Sequence, residues 1–204
     1  MDNNYTSPGF NTKMKIVEAL DALSQETSFE QVSILQICER ADISRSTFYH
    51  HFCDKNAVLQ WHSSIVYEAG VDQIGRTLTW FEGHLLTTRG LERYRSLYYR
   101  AGYSNEYGGV KPFFVRHHVD TLRETLTEYQ KKELTPLLDF QIHATAAAES
   151  SMANLRYAGE LTLSTKEFCT YLVSIVPREL FEALQEPVTP RGDERPPFFL
   201  GAVW

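Results

Sequence analysis

Cysteine is scarce in this sequence. Cys38, Cys53 and Cys169 are the only three in 204 residues, an odd number without CxxC spacing. That excludes a disulfide framework and a paired-cysteine zinc site. Cys38 and Cys169 fall on apolar helix faces and read as small buried residues, while Cys53 sits where partial exposure is expected. Long apolar runs are missing too: mean hydropathy is −0.33, and no stretch approaches the ~20 residues that a membrane helix needs. The opening Met1-Asp2-Asn3-Asn4 has neither a cationic stretch nor an apolar core. No export signal is therefore expected, and the expected location is the cytoplasm. β-branched runs alternating with period two are absent, which predicts almost no sheet. Phosphate loops, a nucleophile elbow and metalloprotease motifs are absent as well. His117 and His118 are adjacent and diverge on a helix, so with His143 they make no metal site by spacing. The expectation is a chain without catalytic residues, metal or cofactor, and not an enzyme. Positive charge is also short: Lys and Arg number 20 against 26 Asp and Glu, a formal net charge of −6. Nucleic-acid binders are ordinarily basic, so a DNA-binding role has to rest on local pattern.

What is present is helical periodicity. Hydrophobic residues make up 43 % of the chain, enough for a real core. Ile16, Ala19, Leu20 and Leu23 recur at helical spacing between Asn11 and about Gln25. Ser33 opens a short second helix with Gln36 at the reciprocal capping position, and Ser44 opens a third. A fourth helix starts near Asp54 and passes Tyr67, and further stretches fall at 77–88, 90–102 and 111–132. Thr135-Pro136 is an N-cap followed by proline at the first helical position, predicting a helix to about Tyr157. Ser164-Thr165-Lys166-Glu167 is a capping box that predicts a last helix to about Leu184. Half of the eight prolines fall after residue 186, so 186–204 reads as an irregular tail. Its apolar end, Phe198 to Trp204, is assigned no role.

The most informative stretch runs from Ser33 to Phe52. Two short helices, each opened by serine, are joined by Ala41-Asp42-Ile43, which is a helix-turn-helix. Ile34, Ile37, Ala41 and Ile43 set the angle between the helices, and Ala41 is small where they approach. Asp42 sits where the chain reverses, and aspartate tolerates the left-handed conformation better than most residues. Phe48 and Phe52 face inward at i, i+4, leaving Arg45, Ser46, Thr47, Tyr49 and His50 on or near the outer face. This segment resembles the N-terminal domain of the TetR (tetracycline repressor) family. Ser33-Ile34, Ile37, Ala41-Asp42-Ile43-Ser44, Thr47-Phe48-Tyr49-His50-His51-Phe52 and Lys55 follow its pattern, with Asp42 where glycine is usual. The resemblance covers about residues 10–60. It implies that Ser44, Arg45, Ser46, Thr47, Tyr49 and His50 enter or border the major groove, and that Ser33 and Lys55 hold phosphates. Across residues 1–60, however, eight carboxylates outnumber five Lys and Arg side chains. That predicts modest affinity and a shallow salt slope. It also keeps open a TetR-like coactivator or ligand-binding partner that does not itself bind DNA. His50 and His51, at the end of the recognition helix, predict DNA affinity that rises as pH falls.

The expected organisation is all-α. Residues 1–60 form a three-helix DNA-binding domain, 61–185 a helical ligand-binding and dimerisation domain, and 186–204 the tail. Aromatic residues crowd the middle of the chain. Trp80, Tyr94, Tyr98, Tyr103, Phe113 and Phe114 are candidates to line a pocket for a small-molecule effector, with core packing as the alternative for each. Gly108-Gly109 marks a break that could gate such a pocket. The alanine-rich stretch from Leu137 to Tyr157 and the apolar residues Leu161, Phe168, Leu172, Ile175 and Val176 resemble the family's dimerisation module. They imply a four-helix bundle between two copies. The reading as a whole is a homodimeric, ligand-responsive regulator, a repressor by expectation, acting on a palindromic operator in double-stranded DNA.

Overall fold

Hydroxyl side chains mark where several helices of this chain begin. The structure, a computed structural model, describes residues 7–102 and 110–189. Among them are ten α-helices and no strand. Helix α1 (Pro8–Glu26) starts with proline behind Ser7, whose Oγ accepts from the amide of Phe10. Helix α2 (Ile34–Ala41) carries the Ser33/Gln36 capping box, and α3 (Arg45–His51) is capped by Ser44, which accepts from the Thr47 amide. Helix α4 spans Lys55–Ala69. Helix α5 (Trp80–Glu92) begins at a Thr79/Glu82 box, later than the periodicity suggests, and α6 is Arg95–Gly102. Helix α7 (Val110–Glu124) runs on through a π-helical turn, Thr125–Tyr129. Helix α8 (Pro136–Ala158) starts at Thr135-Pro136 and stops at Gly159, which takes φ 81°.

The helix expected from Ser164 to Leu184 is two helices, α9 (Thr165–Ser174) and α10 (Arg178–Leu184). Pro177 divides them, at φ −56° and ψ 139°. It has no N–H to give to the preceding turn, and its ring disfavours α conformation at the residue before it. Of the expected tail, residues 186–189 are non-helical and tied back, with the Thr189 amide donating to the Arg76 carbonyl at 2.9 Å.

The described residues fall into two compact units, one of 7–64 with 94–102, the other of 65–93 with 111–189. In the first, Ile16, Leu20, Ile37, Phe48, Leu59 and Leu97 are fully buried. Its most concentrated polar contact is made by Lys55. The ammonium donates to the carbonyls of Phe29, Glu30 and Val32 at 2.7, 2.8 and 2.9 Å and lies 4.9 Å from the Phe29 ring centroid. A 3-10 turn at Phe29–Gln31 is thereby fastened to the start of α4. Between α2 and α3, Asp42 adopts φ 52°, the left-handed conformation expected for the reversal, and the Ile43 amide returns to the Cys38 carbonyl at 3.0 Å.

In the second unit, the 3-10 turn Val71–Gln73 lies directly on α5. The Val71 amide donates to Thr87 Oγ1 at 2.9 Å, and a Cβ on Gly83 would stand 2.4 Å from Ile74 Cγ1, so only glycine permits this approach. Phe168 and Leu172 of α9, expected to face a partner chain, are buried beside Phe81, Leu85 and Met152 of the same unit. Glu149 of α8 is buried between His84 of α5 and His118 of α7, with Nε2 to carboxylate distances of 3.2 and 3.0 Å. Burial alone would push its carboxyl up, but the two histidines hold it down to about 2.

Two stability measurements check this account of the first unit. Lys55→Met keeps the stem over Phe29 but leaves three carbonyls without their donor, and should lower unfolding free energy by roughly 2 kcal/mol in urea titrations. Asp42→Gly removes the cost of a left-handed side chain and should raise it by about 1 kcal/mol. An unchanged midpoint in either variant would contradict the corresponding contact.

Candidate nucleic-acid interface

Helix α3 has seven residues, and its two faces separate cleanly. Phe48 is fully buried and Phe52 nearly so, as their spacing predicts. Arg45, Ser46, Tyr49 and His50 are exposed, and Thr47 is half-buried. The Tyr49 ring stands edge-on to Phe48 at 5.6 Å, leaving the phenol on the outer side. Ser44 Oγ is shared between the Thr47 amide, at 3.0 Å, and Thr47 Oγ1, at 2.8 Å. Ser33 Oγ is held likewise by Gln36, 2.8 Å from Oε1. Both serines therefore act first as caps. They also place the N-termini of α2 and α3 at the exposed surface, where amide groups and helix dipoles favour an anion.

The cations of this unit are mostly engaged. Lys13 lies over the rings of Phe52 and Trp61, at 5.8 and 5.1 Å from their centroids. Arg40 pairs with Glu26 at 2.7 Å. Lys55 directs its ammonium to three carbonyls, so the structure gives it an internal fastening role, where the resemblance implies a phosphate ligand. Arg45 is different. It stands exposed at the first position of α3, without an ion pair among the described residues. Its surroundings are not basic, since Glu39 and Asp42 line with it a shallow hollow of about 370 Å³ that also includes Leu35 and Ile43.

His50 and His51 do not behave as a pair. Burial holds the His51 imidazole below its ordinary value, with the charges of His50 and Lys13 adding to the effect. Its ring packs 6.5 Å from Phe52. The lowered value weakens the expected gain of two cations at low pH at His51.

The candidate effector residues are distributed over both units. Tyr94 and Tyr98 belong to the first, packed on the buried His62, with a 2.6 Å contact from Tyr98 Oη to His62 Nδ1. Trp80 is buried in the second, 6.0 Å from the His84 ring. Phe113 stacks on His117 and Phe114 on His118. Tyr103 and Gly108-Gly109 lie outside the described residues. Sequence reasoning missed the His84–Glu149–His118 cluster, whose members come from three helices and share no motif.

Residues 16–60 match the bacterial regulatory proteins of the tetR family. No curated protein sequence matches the chain. Among solved structures, a dihydroxyacetone kinase operon activator, DhaS, is similar with a TM-score of 0.62 and 19 % identity, over 86 % of this chain and 98 % of that one. A protein titled Salmonella enterica GusR aligns with a TM-score of 0.42 and 15 % identity, over 85 % of this chain and 99 % of that one. The likeness to DhaS extends the agreement in fold well beyond the helix-turn-helix. Residues 16–60 thus carry the helix-turn-helix of the tetR-family regulatory proteins, with capped α2 and α3 and an outward-facing Arg45.

Proposed function

We propose that this chain is a transcriptional regulator, a cytoplasmic homodimer that binds a near-palindromic operator through α3 and releases it when a small molecule binds the helical region beyond α4. The observation that carries the proposal is the outer face of α3. Arg45 is exposed and uncommitted, beside Ser46, Tyr49 and His50. A guanidinium at the start of a recognition helix suits the O6 and N7 acceptors of guanine, and Ser46 and Tyr49 suit flanking bases and phosphates. The capped N-termini of α2 and α3 supply phosphate contacts in place of the missing lysines.

Dimerisation is supported by an apolar face in the second unit. Phe140 is 71 % exposed, and Leu137 and Tyr171 are each 53 % exposed. Ala144 and Ala147 continue the α8 stripe, also exposed, and the exposed Ile175 caps the C-terminus of α9, which carries Tyr171. Large apolar side chains left this exposed suit an interaction site. A two-fold axis here would set two α3 helices against major grooves ~34–36 Å apart. The effector acts by population shift: it binds better to the conformation whose recognition helices are out of register. We read the direction as repression. DhaS, similar in fold, is titled an activator, and a reporter gene behind the operator decides the sign here.

The charge balance favours a second reading, a coactivator that does not touch DNA. Eight carboxylates face five Lys and Arg within residues 1–60, and three of those cations are engaged within the chain. Duplex binding at varied salt separates the two. A regulator that contacts DNA loses affinity linearly in log salt, whereas a coactivator shows no duplex binding at any ionic strength.

Arg45→Ala should weaken specific binding by roughly 1–3 kcal/mol while leaving non-specific binding nearly unchanged. Equal operator affinity of variant and parent would remove Arg45 from the interface. Phe140→Asp and Ala147→Asp should each give monomers in analytical ultracentrifugation and abolish operator binding, because one half-site alone is weak. A dimer that survives both substitutions places the interface elsewhere.

A further inference from the structure

Two neighbouring histidines tie α7 in two directions. His117 Nε2 lies 2.8 Å from Asp72 Oδ2, in the 3-10 turn that follows α4. His118 Nε2 lies 3.0 Å from Glu149 Oε2 on α8, whose other oxygen is 3.2 Å from His84 Nε2 on α5. Consecutive side chains on a helix point ~100° apart, so α7 reaches both carboxylates at once.

The two ties differ in burial. His84, His118 and Glu149 are each 3 % exposed or less, whereas the His117 side chain is 29 % exposed. The charges that face His117 are Asp72 from the turn, Asp120 one turn along α7, and Arg76 just beyond the turn. Its ring stacks on Phe113 at 5.8 Å and lies 5.8 Å from the Tyr67 ring of α4. A neutral imidazole can keep the hydrogen bond to Asp72, but only the imidazolium adds the charge.

We propose that α7 is a proton-operated strap, drawn tight on Asp72 when His117 is protonated and slackened when it is not, with the Glu149 cluster as its fixed end. The proton is then an effector of this regulator, an inference that rests on the function proposed above. Asp72 is well placed for this, because its turn leads out of α4, the helix that follows the helix-turn-helix in the chain.

The signs follow from the two ties. The hydrogen bond to Asp72 raises the His117 imidazole above its ordinary 6.5, outweighing burial. Its contribution to stability is full below that ordinary value and is lost as pH rises through the raised one. Glu149 is held at about 2 against an ordinary 4.5. Its contribution is present above 4.5 and is lost as pH falls towards 2. Both ties hold only in the mildly acidic to neutral range.

Thermal melting of the full chain between pH 5.5 and 8.5 tests the strap. The parent should lose about 3 °C across that range from this one contact. His117→Gln and Asp72→Asn should each remove that part of the slope. Glu149→Gln should lower the melting temperature at every pH and leave in place the difference in slope that His117→Gln makes. A His117→Gln slope equal to the parent's overturns the proposal. So does an NMR titration of the native chain in which His117 titrates at or below the ordinary histidine value. The melting readout needs no DNA. A chain that bound no duplex would overturn the regulator reading, while the strap would still stand or fall on its own slope.

Discussion

Helix α3 has seven residues and α2 has eight, and helices that short do not persist alone in water. The recognition surface depends on meeting that constraint. Ser33 and Ser44 close the N-terminal ends, and Gln36 returns a bond to the Ser33 amide. Asp42 turns the chain through a left-handed residue, so the last carbonyls of α2 are taken up by the Asp42 and Ile43 amides. Ile37 and Phe48 then bury fully, fixing which face of α3 remains outside. Lys55 fastens the segment before α2 from the far side of the motif. Arg45 is presented in a defined place because none of these contacts uses it.

The same economy bears on how an acidic domain would read DNA under the proposed function. A basic domain gains affinity from many phosphate-neutralising side chains. Here the cations mostly hold the domain together: Lys13 lies on aromatic faces, Arg40 on Glu26 and Lys55 on carbonyls. Under the proposed function, affinity would come from helix N-termini and a few base contacts. Such binding is more specific relative to its total strength and less sensitive to salt. The second unit makes a parallel choice. Glu149 joins α5, α7 and α8 through buried charge, a contact that costs desolvation and is costly to break.

Many helix starts, and the turn of the first unit, were legible in the sequence because their determinants are local. Ser33, Ser44, Thr135 and Ser164 each open the helix they predict, and Asp42 takes the reversal assigned to it. Phe48 and Phe52 bury at the spacing that separates them from Arg45 and Tyr49. The break at Pro177 was also there to be read, yet the apolar periodicity running through Val176 and Leu180 conceals it. Contacts between distant segments were not legible. Nothing near Lys55 announces that carbonyls from 23 to 26 positions earlier will take its ammonium. Glu149 reads as a solvent-facing helix residue until His84 and His118 are brought beside it. The apolar residues of α9 and its C-cap divide between core and surface for the same reason: Phe168 and Leu172 turn inward, Tyr171 and Ile175 outward.

The central claim is that α3 of a two-fold dimer reads DNA. Selection of bound duplexes from a random pool, using the full chain at low salt, tests it most directly. The account predicts enrichment of two inverted half-sites spaced by about one helical turn or a small multiple of it, with the strongest preference for guanine where Arg45 reaches. A recovered pool no different from the input would contradict it.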